Sequence, residues 1–400
     1  MTNHKIEPFF NSTFDDGTLL KLEIFSGYIR EWLPVFLTRW KKNAQPSQVF
    51  LYDFFAGAGT DENGNPGSPI LLVNQLKNFC QDHPDIRSTA IRPTLLFNDS
   101  NATHIALLQQ AIDSVRCPEQ CCNIRYSVKK FHDALKNELP EMQKTTSACL
   151  AIMDQFGLSE ITEDVILMLD TCPKTDFMFF ITSSFISRFS EQKGVKERFN
   201  LKECTYSNVH RAVCDYYKSL LPKGSTFNLA PFSIRKKNGN IYGIIFGSHH
   251  LYGLEKFLQV CWNKDKVTGE ANYDIDNDGM TRFGQMDLFG NNQIKKIDRF
   301  ESELLDYIKH GHLLPSVTGK KIITPVNNRD IYRFTLERGF LPKHARAIIV
   351  EKNKTATIIV KDKNRKIIEK PKGLYLSHDN LYNDEHTVFF SAENQKNEIQ

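Results

Sequence analysis

Four hundred residues, 40% hydrophobic and 24% charged, are ordinary proportions for a globular chain, and the length exceeds one typical core, so two or three folded units are expected. No run of about 18 apolar residues occurs, and Met1–Phe10 carries Lys5 and Glu7 where a leader would be apolar; a membrane span and a secretory signal are therefore not expected, and a cytoplasmic location is. Nine cysteines, an odd number in a long chain, argue against a disulfide scaffold. The tightest group, Cys117, Cys121 and Cys122, lacks the second pair that zinc would need, and no metal is expected. The net charge of +4 is unevenly spread: Arg329–Lys372 holds thirteen Lys and Arg against five Asp and Glu. Such a block suits a phosphate-rich partner or a solvated charged surface.

In chain order, Asp16–Lys41 reads as an amphipathic helix or helix pair, with Leu19, Leu22, Phe25, Ile29, Leu33, Phe36 and Leu37 near a 3.6-residue period. Val49–Asp53 is an apolar run ending in glycines, which reads as a buried parallel strand and a tight turn. Ser68–Phe79 follows as a helix with Pro69 in its first turn. Strands are then predicted at Thr94–Asp99, Asn123–Val128, Ala148–Asp154, Asp176–Thr182 and, antiparallel, Ile241–Gly247, with helices at Asn101–Val115 and Phe131–Leu139. Alternating strands and helices predict an α/β fold with a parallel sheet and flanking helices. This first domain is expected over residues 1–262, followed by a polar linker over 263–290. The linker contains Asp274-Ile-Asp276-Asn-Asp278-Gly279, half of a calcium loop, but Gln285 stands where the bidentate Glu should be. In residues 291–390, helices at Ile294–Tyr307, Arg329–Arg338 and Pro342–Val350 precede an expected hairpin of Thr355–Val360 and Lys366–Lys370. That is the layout of a small α+β winged helix-turn-helix. Residues 391–400 read as a frayed polar tail.

The chemistry concentrates at Asp53-Phe-Phe55-Ala56-Gly57-Ala-Gly59. Glycines let backbone amides approach a ligand at the carboxyl end of a parallel strand. Asp53 can accept from an ammonium or from ordered water. Asp99, ending the next strand, is placed to accept from two ribose hydroxyls. A dinucleotide is disfavoured because a second half-fold with its own glycine turn is missing. His249 and His250 follow a strong strand and could lie near the same sheet edge, although a structural role is the commoner one.

The segments Lys21–Tyr28, Tyr52–Gly59, Gly67-Ser68-Pro69, Asp154-Gln-Phe156-Gly157 and Tyr242–Gly253 together resemble the three-Cys-motif partner protein (TcmP) family. The resemblance implies a Rossmann-like S-adenosylmethionine (SAM)-dependent methyltransferase with a C-terminal winged-helix domain. It implies cofactor contacts from Asp53, Phe55, Ala56, Gly57 and Gly59, ribose binding by Asp99, and an adenine contact from Asp133, which reads equally well as a surface carboxylate. Asp154 and Phe156 are the candidate catalytic pair: an acid accepts from an exocyclic amine and an aromatic stacks on its base. Gln155 departs from the proline usual in the family. In the basic module, Lys343, His344 and Arg346 would start the recognition helix, and Lys363 and Arg365, beside Lys361 and Lys366, would lie on the wing. Expected partners are DNA or RNA and a partner protein encoded alongside, in a modification or phage-defence setting. The competing expectation is a non-catalytic SAM-fold module that recognises nucleic acid and a partner protein.

Overall fold

A computed structural model describes residues 13–38, 46–84, 91–115, 121–155, 160–184, 205–276, 295–315, 321–369 and 373–392, with the backbone alone at 312–315 and 321–323. Two compact units emerge. One takes the described residues up to Cys261 with Ala271–Tyr273; the other takes Trp262–Glu270 and those from Asp274 onward.

The first unit opens with α1 (Asp16–Leu37), a single helix whose N-cap Asp15 accepts from the Thr18 amide at 2.7 Å. Its buried face carries Ile24, Phe25, Tyr28, Ile29, Trp32 and Leu33, and also one charged residue, Lys21. Gly27 is needed on this face: a Cβ there would stand 2.9 Å from Val260. The Tyr28 hydroxyl donates to buried Asp176 at 2.6 Å, fastening the helix to the sheet.

Seven strands form one sheet: β1 (Gln48–Asp53), β2 (Thr94–Asn98), β3 (Asn123–Ser127), β4 (Ser147–Met153), β5 (Thr175–Ile181), β6 (Asn228–Arg235) and β7 (Ile241–Ser248). Their order is β3-β2-β1-β4-β5-β7-β6. The first five are parallel, and β7 runs antiparallel to both β5 and β6. The α/β expectation with a parallel sheet and flanking helices is met here. All seven residues of both β4 and β5 are buried, which explains why their sequences are apolar without alternation. The connecting helices are α2 (Ser68–Asp82), α3 (Ala102–Val115), α4 (Phe131–Met142), α5 (Glu163–Asp170), α6 (Val209–Leu220) and α7 (Leu251–Lys264).

Strand β6 and helices α5, α6 and α7 were not anticipated from sequence. Strand β6 carries Pro231, which argues against a central strand. It is tolerated because β6 is the sheet's last strand, with β7 on one side and only an isolated bridge, Ser233 to Ala271, on the other.

The second unit contains α8 (Lys296–His310), the hairpin β8 (His312–Pro315) with β9 (Lys321–Thr324), β10 (Val326–Asn327), α9 (Asn328–Glu337), α10 (Pro342–Lys354), β11 (Ile358–Lys361) and β12 (Phe389–Ala392). Its core gathers Phe300, Leu304, Ile331, Tyr332, Leu336, Phe340, Ile349, Val360 and Phe390. Asn327 and Asp330 form a reciprocal capping box at α9. A three-stranded sheet has the order β10-β12-β11. The expected second hairpin arm is only a bridge between Lys361 and Ile367; the true partner of β11 is β12. Ser391 and Ala392, expected in a frayed tail, belong to that strand because Phe390 anchors it in the core. Part of the expected linker is also built structure. Asp265 accepts from the amides of Val267, Thr268 and Glu270, and Thr268 and Ala271 are buried.

Candidate functional site

Chain order and strand order disagree at one point. From β1 the chain moves outward through β2 and β3, then returns to place β4 on the other side of β1. Loops leaving β1 and β4 therefore diverge, and a crevice opens at the carboxyl ends of these strands. Three carboxylates stand there on adjacent strands: Asp99 after β2, Asp53 at the end of β1 and Asp154 after β4.

The glycine turn is left-handed where the sequence required it. Gly57 has φ 60° and Gly59 φ 90°, and a Cβ on Gly59 would meet Leu108 at 2.7 Å. The Gly57 amide donates to Asp99 Oδ2 at 3.1 Å, and the Gly67 amide to the Gly59 carbonyl at 2.8 Å. Asp99 Oδ1 also accepts from the Asn101 amide at 2.8 Å and meets His104 Nδ1 at 3.1 Å. Beyond the turn, Asp61 accepts from the amides of Phe14, Asn63 and Asn65 and from the Asn65 side chain. That knot holds the loop and the start of α1 together.

Asp53 is fully buried. Its Oδ1 accepts from the Phe55 amide at 3.2 Å, while Oδ2 has no partner at hydrogen-bond geometry. Burial pushes this carboxyl up to about 7; the Ser68 hydroxyl offsets part of the rise and the nearby Asp154 charge adds to it. Asn98 donates to the Phe54 and Lys129 carbonyls, and its Oδ1 is likewise buried and unpartnered. Ala56 closes the turn by donating to the Asn98 carbonyl. Phe55, half-buried, stacks on Phe131 with ring centroids 4.9 Å apart. Asp133 is exposed in the first turn of α4, two residues beyond Phe131.

Sequence reasoning passed over the residue that completes this edge. Lys21 of α1 pairs with Asp154 Oδ2, and its ammonium lies 4.7 Å from the centre of the Phe180 ring. The signal was present: Lys21 shares a helical face with Ile24, Phe25 and Tyr28, and a lysine on an apolar face calls for a partner. Gln155 is buried, and its Oε1 accepts from the Glu160 amide at 3.0 Å. A side-chain bond thus ties together the two ends of the loop at whose start the family pattern has proline. Phe156 lies outside the described residues, as do Gly157, Cys117 and residues 277–285 of the calcium-like segment.

His249 and His250 do not share this edge. Strand β7 runs against β5, with Gly247 opposite Phe177, so both histidines stand at the amino end of the parallel strands. His249 stacks on Phe227 and bonds to Thr226.

In the second unit, Lys343 and Arg346 are exposed on the first turns of α10. His344 between them turns inward. Its Nδ1 accepts from the Leu341 amide at 3.0 Å, and its ring lies 4.2 Å from that of Trp262. Burial and the cations Lys343 and Lys296 lower it to about 4, so the ring is neutral at physiological pH. Lys363 pairs with Glu385. The Arg365 guanidinium lies 3.5 Å from the Phe389 ring centre on a backbone with φ 66°.

No family model matches the chain, and no curated protein matches it. Among solved structures, Trm1 from Pyrococcus horikoshii in complex with S-adenosyl-L-methionine is 9% identical, with a TM-score of 0.35 over 59% of this chain and 56% of that one. An O-methyltransferase from Bacillus cereus is 12% identical, with a TM-score of 0.33 over 60% and 84%. The METTL16 methyltransferase domain is 9% identical, with a TM-score of 0.28 over 57% and 83%. Similarity at this level decides neither substrate nor activity. Among the described residues, no helix is long and apolar enough to cross a membrane.

Proposed function

We propose that the chain is a SAM-dependent methyltransferase acting on nucleic acid. The observation that carries this reading is the set of carboxylates Asp99, Asp53 and Asp154 on three adjacent strand ends around a left-handed glycine turn. The residues fit the cofactor. Asp53 Oδ2 and Asn98 Oδ1 are buried acceptors that make no well-formed hydrogen bond among the described residues, although the Ser68 hydroxyl is near the Asp53 carboxyl, and they suit an ammonium group directly or through water. Asp99, fixed by Gly57, Asn101 and His104, keeps lone pairs for ribose hydroxyls. Phe55 and Phe131 would offer an aromatic wall to the adenine, and Asp133, exposed in the first turn of α4, would be the carboxylate for its amino group. Ala56, Gly57 and Gly59 would line the methionyl part with backbone, the left-handed φ of Gly57 and Gly59 shaping the turn.

When bound, SAM supplies an electrophilic methyl: a carbon–nitrogen bond forms at the acceptor as the carbon–sulfur bond breaks, its electron pair going to sulfur. The chain's own task is alignment and proton handling. Asp154 accepts a hydrogen bond from the acceptor amine and takes the proton that the methylated amine loses, releasing it to solvent. Phe156 would stack on the base.

The second unit supports a winged-helix reading. Helix α8, strand β10, helices α9 and α10, then strands β11 and β12 follow in that order, and β12 lies between β10 and β11. Lys343 and Arg346 would contact phosphates from α10, with His344 as the cap that sets their helix, and Lys363 and Arg365 would do so from the turn after β11. The resemblance to the TcmP family extends the proposal to a partner protein and a modification or phage-defence role in the cytoplasm.

Equilibrium binding of labelled SAM to wild type and Asp99→Ala tests the reading. Binding by wild type, reduced at least tenfold in the variant, is expected. A folded wild type that binds no SAM, alone or with nucleic acid, refutes it and leaves a non-catalytic binding module.

A further inference from the structure

A buried ion pair is a poor way to stabilise a protein, because desolvating both charges offsets their attraction. The side chains of Lys21 and Asp154 are only 8% and 20% exposed, yet their pairing is met at the mouth of the crevice and not in the core. Two further features set the pair apart. Lys21 spends one of its three N–H donors on Asp154, and the Phe180 ring takes no other in a hydrogen bond. Asp154 spends Oδ2, while Oδ1 accepts no hydrogen bond from the described residues, and the side chain is 20% exposed. A spare donor and a spare acceptor therefore stand side by side, next to the buried carboxyl of Asp53, whose ionisation responds to both charges.

We propose that this pair recognises the acceptor as an amidine-type edge, an exocyclic amine beside an unprotonated ring nitrogen. On their Watson–Crick side adenine and cytosine present that edge; guanine there has a protonated N1 and uracil lacks the amine. Asp154 accepts from the amine, and Lys21 donates to the neighbouring ring nitrogen and withdraws electron density from the ring, which acidifies the amine. Methyl transfer follows with the balance already given: nitrogen gains the methyl, sulfur keeps the electron pair, and the amine proton leaves through Asp154. Lys21 is thus an acceptor-binding residue supplied by α1, and the proposal rests on the methyltransferase reading.

The test uses the full chain with labelled SAM and the homopolymers poly(A), poly(C) and poly(U), with their deoxy counterparts to separate RNA from DNA. Wild type, Lys21→Met and Lys21→Arg are compared for SAM binding, thermal midpoint, KM and kcat. Methyl incorporation into an adenine or cytosine polymer and not into uracil is expected. At saturating SAM, Lys21→Met should lose on the order of 10- to 100-fold in kcat/KM for the polymer, as expected for one charged hydrogen bond. Lys21→Arg should recover part of the loss. Incorporation into poly(U) equal to that into poly(A) and poly(C), transfer to protein alone, or unchanged kcat/KM in Lys21→Met overturns the proposal. Should Lys21→Met fail to fold, the polymer comparison on wild type decides. Wild type that binds no SAM, or that methylates no nucleic acid, overturns this proposal together with the reading beneath it; wild type that methylates nucleic acid at neither adenine nor cytosine overturns this one alone.

Discussion

Asp53→Asn should make the protein more stable and its cofactor site worse. The carboxyl is completely buried and raised from 3.8 to about 7, so in the folded state the ionised form is penalised by about 4 kcal/mol. Below pH 3.8 the folded and unfolded states both hold the proton, and the residue contributes no pH dependence. Between about pH 4 and 7 the folded state holds the proton and the unfolded state does not, so stability falls as pH rises, by roughly 1.4 kcal/mol per unit. Above pH 7 both are ionised and the full penalty stands. Asparagine keeps an oxygen for the Phe55 amide and carries no charge. The variant's advantage over wild type should therefore grow from near zero at pH 4 toward an upper bound of about 4 kcal/mol at pH 8. The neighbouring Asp154, Lys21 and Ser68 are common to both proteins, as are Asp176, raised to about 6, and His210, lowered to about 4, so these cancel in the difference. Urea unfolding of the first unit's transition at pH 5, 6, 7, 8 and 9 without cofactor gives the difference directly. A difference that stays flat from pH 5 to 8, or a variant less stable at pH 8, refutes the reasoning. In wild type, SAM affinity should rise with pH up to about 7, since a cationic group is held best by the ionised carboxylate.

Gly59→Ala puts a Cβ 2.7 Å from Leu108 at φ +90°, which should cost roughly 1–3 kcal/mol in a melting experiment and weaken SAM binding at least tenfold. Gly243→Ala would place a Cβ 2.2 Å from the buried His210 ring, whose Nε2 meets the Ile244 carbonyl and whose Nδ1 meets Ser183. A loss above about 3 kcal/mol is expected, and a wild-type melting temperature would show that the ring does not pack there. Lys343→Ala and Arg346→Ala should each lower the slope of log affinity for duplex DNA or RNA against log salt by about 0.9, measured between 50 and 200 mM. An unchanged slope in both removes α10 from the interface.

The parallel core was legible because burial on both faces leaves continuous apolar runs, as in β4 and β5, and because Gly57 and Gly59 mark a turn that other residues cannot make. Asp53 and Asp99 followed from those strand ends. The pieces that escaped are those fixed by distant parts of the chain. Strand β6 hides behind Pro231, and the true partner of β11 lies beyond a long connection from Lys361 to Phe389. The placement of His249 turns on the reversal of β7, which no local pattern around that residue reports. Lys21 was visible as a charge on an apolar face, but its counter-ion is named only by the fold.

That last contact spans 133 residues. At about 5–20 residues per second of synthesis, Lys21 leaves the ribosome roughly 7 to 27 seconds before Asp154. During that interval α1 also lacks the strands that cover it, since Tyr28 awaits Asp176 and Phe246. The nascent α1 can therefore lie on α2, where Gln75 donates to Ser26, but not yet on β5 or β7. Chaperone engagement should concentrate on that helix, and the Lys21–Asp154 end of the crevice is completed only after β4 has emerged.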